Sequence, residues 1–205
     1  MSEVAARYRR RAEGFERTLL GVREDQWSAP SPCSEWSVRD VVAHVVAMHA
    51  VVVAAAGVEL PGTPAVEDDP LGAFRTARAA VEHVLAVPAL AAIESTTPAG
   101  TMTVEEEIDH VASEDLPQHR WDVARATGQH DAIDAEDLAL LWAKARSTPP
   151  AVMEKYRTPG AFGPGIVVYG PEVPVPEDAP LQDRLLGHLG RDPGWRPPPG
   201  GGTAR

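Results

Sequence analysis

"SVRDVVAHVVAMHAVVVAAAGV", residues 37–58, is built largely of Val and Ala and meets no chain breaker before Gly57. Ser37 is followed three residues later by Asp40, the spacing at which a hydroxyl and a carboxylate can satisfy each other's free backbone N–H at a helix start. The stretch therefore reads as a helix that begins at Ser37. It is apolar on most sides, so it is expected to lie in a core and to need other helices around it.

Such partners are present on both sides. From Ala5 to Val22, Tyr8, Phe15, Leu19 and Val22 recur at helical spacing among charges. "WSAPSPCSEW", 27–36, with two prolines and three serines, reads as a loop. "ELPGTPAVEDDP", 59–70, is a second loop, followed by a helix from Leu71 to Ala86 with Phe74, Ala77, Val81, Val84 and Leu85 inward. "VPALAAIESTTPAGTM" reads as a longer connection. Thr103 and Glu106 then form another capping box, opening a helix over about 104–127 that Gly128 ends.

Four long helices predict an all-α fold, an up-and-down four-helix bundle over residues 1–130. Residues 131–192 are expected to form a C-terminal helical extension packed on the same domain. It holds "AEDLALLWAKARS", capped by Asp134 with Leu138, Leu141 and Trp142 inward, and a short helix "LQDRLLGHLG" closed by Gly190. Its strand-like run, Ile166 to Tyr169, lies between Gly and Pro and predicts at most a short strand or hairpin. Residues 193–205, which include "RPPPGGGTAR", are expected to be a disordered tail.

The chain has 205 residues, 43% of them apolar and 24% charged, as in ordinary globular proteins. Nineteen Lys plus Arg against thirty Asp plus Glu give a net charge of −11, which opposes binding to nucleic acid or to an anionic membrane. The apolar run at 51–58 is too short to span a bilayer. A single cysteine, Cys33, and an N-terminus without a secretory pattern lead to a cytoplasmic expectation. Monomer and homodimer both fit the sequence.

The chemistry-bearing stretch is "EDLPQHRWDVARATGQ", 114–129. Asp115 and His119 stand four apart, so one helix face can present a carboxylate and an imidazole to one point. His44 sits in the Val/Ala helix, where a polar ring is costly without a partner. Two histidines and a carboxylate suit a divalent transition metal, zinc first and nickel or iron next, with coordination positions left open. Asp40, four before His44, is a candidate to accept the other ring proton of that histidine and so fix its tautomer.

Ordinary roles account for the same residues. A buried histidine is commonly a satisfied core residue, and Asp-x-x-x-His commonly a surface pair. His110 with Glu114, and His49, are rival arrangements that spacing does not separate. Pro117 between Asp115 and His119 predicts a bend or bulge between the two. Trp36 and Trp121 suit either a pocket wall or core packing. Arg120 and Arg125 suit an anionic substrate or solvent-facing ion pairs. Cys33 has no activating base in sequence and reads as structural.

"CSEWSVRDVVAHVVAMH", "HRWDVARATGQ" and "GAFGPGIVVYGPEVPVPEDAPLQDRLLGHLGRDPGW", in this order, resemble the actinobacterial mycothiol-dependent maleylpyruvate isomerase family of the wider DinB and YfiT-like group, most closely a subfamily described only as metal-binding. The resemblance runs from the first helix to Trp195. It implies a DinB-like bundle whose divalent metal is held by His44, Asp115 and His119, with aspartate where the isomerase has glutamate. It also implies mycothiol as cosubstrate, and isomerisation or S-transfer on a small electrophile. The alternative is a non-catalytic metal-binding, ligand-binding or interaction module on the same bundle.

Overall fold

The computed structural model describes residues 2–60, 62–97, 100–162 and 167–198. These fall into two compact units, one of residues 2–131 together with 197–198 and the other Ala132–Arg196.

In the first unit α1 spans Glu3–Leu20, capped by the Ser2 hydroxyl, which accepts from the Ala5 N–H. It buries Ala5, Tyr8, Ala12, Phe15 and Leu19, a stripe at three- and four-residue spacing. Helix α2, Val38–Ala54, starts at the expected capping box of Ser37 and Asp40. Helix α3, Pro70–Ala86, is opened by Asp69, whose carboxylate accepts from the Gly72 N–H, and all five inward residues expected for it are buried. Phe15 and Phe74 meet edge-on with ring centres 4.9 Å apart, joining α1 to α3.

Two elements arise in the segment expected to be only a connection. A one-turn helix, α4, covers Pro88–Ala91, and strands β1 (Glu94–Thr97) and β2 (Gly100–Thr103) pair antiparallel with Ser95 opposite Met102. Thr103 then caps α5, Val104–Ile108, through its box with Glu106. A π-helical turn over Asp109–Ser113 follows, and α6 runs from Glu114 to Thr127, ending at Gly128 in the left-handed region at φ 72°. Helices α1 and α2 each pack against both α3 and α6, a closed ring of four.

Helix α2 differs from the expectation in one respect. Its buried stripe is Val38, Val41, Val42, Val45, His49, Val52 and Val53, while Val51 is 53% exposed on the outer side. A helix in a ring of four meets two neighbours and keeps a wet edge, and small apolar residues there cost little.

Pro117 also acts elsewhere than expected. It has no N–H to give the carbonyl four residues back, that of Ser113, and its ring crowds that group. The irregularity is taken up by the π turn that ends at Ser113, before both Asp115 and His119, so the two lie on one continuous helix. Arg7 grips Asp109 with two hydrogen bonds (3.1 and 2.6 Å), and buried Arg11 donates to the Ser113 hydroxyl at 3.0 Å, fixing the turn to α1.

In the second unit α7, Ala135–Ser147, is capped by Asp134, α8 covers Pro150–Arg157 and α9 Leu181–His188. Its core is Leu141, Ala145, Leu185 and Leu189, with Leu138, Trp142 and Tyr169 packed against it. Residues 167–169 form no strand, and Ile166, the start of the expected strand-like run, lies outside the described residues. Of the expected tail, 193–198 carry neither helix nor strand, and the rest lies outside the described residues. Among the described residues no helix is long and apolar enough to cross a membrane.

His49 makes the fold sensitive to acid. It is fully buried between Tyr8 and Phe74, and its Nδ1 lies 2.7 Å from the Val45 carbonyl. Burial pushes its pKa down to about 4, against about 6.5 in an unfolded chain. The unfolded state therefore binds the extra proton first. The stability this residue carries is complete above about pH 6.5 and falls by about 3 kcal/mol as pH drops toward 4. Urea unfolding across that range is expected to show a steeper pH dependence in the parent than in His49→Leu; equal slopes would contradict a neutral buried ring.

Candidate metal centre

Helix α2 and helix α6 face each other in the ring, and His44 from the first meets Asp115 and His119 from the second. His44 Nε2 lies 3.0 Å and His119 Nε2 3.6 Å from the same oxygen, Asp115 Oδ2. The two imidazole rings stand at 67° with centres 4.9 Å apart. One ligand atom from each of the three residues falls within 4.8 Å of the others. The His119 side chain is 4% exposed, whereas His44 and Asp115 are each 26% exposed, so the group has one covered and one accessible side.

This geometry fits a divalent ion. Tetrahedral zinc with nitrogen or oxygen ligands at about 2.0–2.1 Å sets neighbouring ligand atoms about 3.3–3.4 Å apart. The observed 3.0 and 3.6 Å lie on either side of that value. The aspartate is short, but it comes from the helix that also carries His119 and reaches both rings.

Without a cation the three side chains compensate one another. Burial favours a protonated Asp115, yet the charge and hydrogen bonds of His119 and His44 outweigh it and hold the carboxyl far below the usual range. Burial likewise disfavours a charged His119, but the Asp115 charge and the hydrogen bonds its ring makes to Asp115, Asp122 and Cys33 raise it well above an ordinary histidine.

The rival arrangements are sorted by position. His110 is on the exposed side of the π turn, 3.8 Å from Glu114. His49 faces the aromatic core, with its Nδ1 engaged by Val45. Asp40, expected beside His44, instead accepts from the Ser37 N–H and hydroxyl at 2.8 and 2.6 Å. The capping box claims that carboxylate, because a helix start leaves its first N–H groups without partners. Arg125 is committed to Asp131 at 2.9 Å and lies over the Trp121 ring.

Three further features surround the centre. Asp122, completely buried, has Oδ2 2.9 Å from His119 Nδ1 and 3.1 Å from the Cys33 sulfur. It is the i+3 neighbour of His119, a spacing visible in the sequence, but burial of an acid is not. Trp36 lies against His44 with ring centres 4.9 Å apart and 6.2 Å from His119. Cys33 and Trp36 share a loop folded back on itself, in which Ser31 N–H donates to the Trp36 carbonyl at 2.9 Å and Val38 N–H to Ala29 at 2.9 Å. Glu35 in this loop adopts φ 68°, a conformation that side-chain-bearing residues disfavour and that recurs where a loop is held over a site.

Residues 8–158 match the family described as mycothiol maleylpyruvate isomerase N-terminal domain. Two proteins of Mycobacterium tuberculosis, from strains CDC 1551 and H37Rv and both described as uncharacterized, are 34% identical over 187 residues, spanning 90% of this chain and 95% of theirs. No solved structure matches.

Replacing Asp115 by Asn removes the charge that lifts His119. In metal-free protein, NMR titration is expected to show the His119 pKa falling back toward the ordinary histidine range. An unchanged value would mean that Asp115 does not control this imidazole.

Proposed function

The chain belongs to the mycothiol maleylpyruvate isomerase N-terminal domain family, and on that premise we propose that it is a zinc-dependent enzyme that uses a low-molecular-weight thiol, mycothiol, for isomerisation or S-transfer on a small electrophile. One observation carries the reading: two imidazole nitrogens converge on one carboxylate oxygen at 3.0 and 3.6 Å, with one side of the group open. His44, Asp115 and His119 would hold the ion. When bound, a divalent cation stabilises a thiolate at neutral pH and polarises an electrophilic oxygen.

The protein's own groups supply the rest. His119, 4% exposed, anchors the covered side, while partly exposed His44 and Asp115 border the approach. Trp36 gives that approach an apolar aromatic wall against His44, which keeps water from one flank and offers a face to a planar conjugated substrate. The net charge of −11 speaks for a small-molecule partner over nucleic acid.

A second reading, a non-catalytic module, is favoured by one feature: Cys33, Asp122, His119, Asp115 and His44 form a continuous chain of polar contacts without an ion.

Elemental analysis separates the two. The expected result is about one zinc per chain, lost in His119→Ala, and about 2.7 kcal/mol of added stability at one hundred times the dissociation constant. Metal-loaded protein should then accelerate reaction of mycothiol with maleylpyruvate-like electrophiles, and His119→Ala should not. A protein that takes up no zinc overturns the metal reading. One that takes it up but turns over no thiol and electrophile pair is a binding module.

A further inference from the structure

We propose that Asp122, steadied by the Cys33 thiol, is a positioning residue that sets the tautomer and orientation of His119. The inference rests on the metal reading above and adds two residues to it. Asp122 has no exposed surface, and its Oδ2 lies 2.9 Å from His119 Nδ1. A carboxylate oxygen only accepts, so the proton of this contact sits on Nδ1. In the neutral ring the lone pair then belongs to Nε2, the nitrogen turned toward Asp115 and His44. A carboxylate behind a ligating imidazole fixes which nitrogen faces the ion and makes that nitrogen more basic.

Cys33 completes the arrangement. Its sulfur lies 3.1 Å from the same Oδ2, so the S–H can donate to the oxygen that receives the imidazole proton. Asp122 comes from α6, as His119 does, but Cys33 comes from the loop before α2, the helix that carries His44. The thiol therefore ties the acid behind one imidazole to the segment that delivers the other. This gives the single cysteine a role as a hydrogen-bond donor, with no bond made or broken at sulfur.

The test uses the full chain with zinc alone as the probe, comparing the parent with Asp122→Asn, Cys33→Ala and Cys33→Ser. Zinc dissociation constants from chelator competition should weaken about 10- to 100-fold in Asp122→Asn. The loss in Cys33→Ala should be smaller, and Cys33→Ser, which keeps a donor, should recover most of it. Proton NMR gives a second readout: a downfield, slowly exchanging His119 Nδ1–H in the parent, with or without zinc, that moves upfield in Asp122→Asn. Unchanged zinc affinity in Asp122→Asn overturns the proposal. If the parent binds no zinc, the metal reading fails by itself, and the resonance in metal-free protein still decides: a signal identical in parent and Asp122→Asn overturns the positioning role. Should Asp122→Asn not fold, the contrast of Cys33→Ala with Cys33→Ser carries the test, and equal zinc affinity and equal His119 resonances in the two overturn it.

Discussion

A nearly inaccessible imidazole between two carboxylates is the constraint around which the first unit is arranged. His119 has Asp115 on its Nε2 side at 3.6 Å and Asp122 on its Nδ1 side at 2.9 Å. A fully buried acid such as Asp122 with no donor would cost several kcal/mol, and the partly covered Asp115 beside it would add to that cost without a cationic centre. The contacts that lead outward from the trio join parts of the chain far apart in sequence. Asp115 reaches His44 on α2, and Asp122 reaches Cys33 in the loop that leads into α2. Core packing brings the helices together, and this polar chain links α6 both to α2 and to the loop before it.

The backbone of the later helix serves the same end. A proline inside a helix must disturb something, and here the disturbance lies upstream, in the π turn at Asp109–Ser113. Arg7 and Arg11 of α1 hold that turn from outside, so the regular helix carrying Asp115 and His119 starts from a fixed base. The loop over the centre is also under local tension, with Glu35 at φ 68° next to the tryptophan that lies against His44.

Much of this was legible in the sequence, for reasons that differ by residue. The two capping boxes at Ser37 and Thr103 are local chemistry and were readable as such. Helical spacing alone put Asp115 and His119 on one face, while the cost of a histidine among valines applied to His44 and His49 alike, and only the family resemblance singled out His44. Burial and pairing across the fold were not legible. The same local rule that opens α2 claims Asp40, so it does not serve His44. Asp122 has the spacing of any surface acid, and only packing shows it to be enclosed. The π turn and the strand pair Glu94–Thr97 and Gly100–Thr103 are not legible because Pro117 marks a disturbance without saying where it settles, and because four-residue strands reading ESTT and GTMT carry no apolar alternation.

The claim that the convergent side chains are ligands is tested most directly by diffraction from crystals grown with zinc, with anomalous data collected on both sides of its absorption edge. A single peak about 2.0–2.2 Å from His44 Nε2, His119 Nε2 and an Asp115 oxygen is the expected result. A zinc peak elsewhere, or none while His44 remains hydrogen-bonded to Asp115, would contradict it.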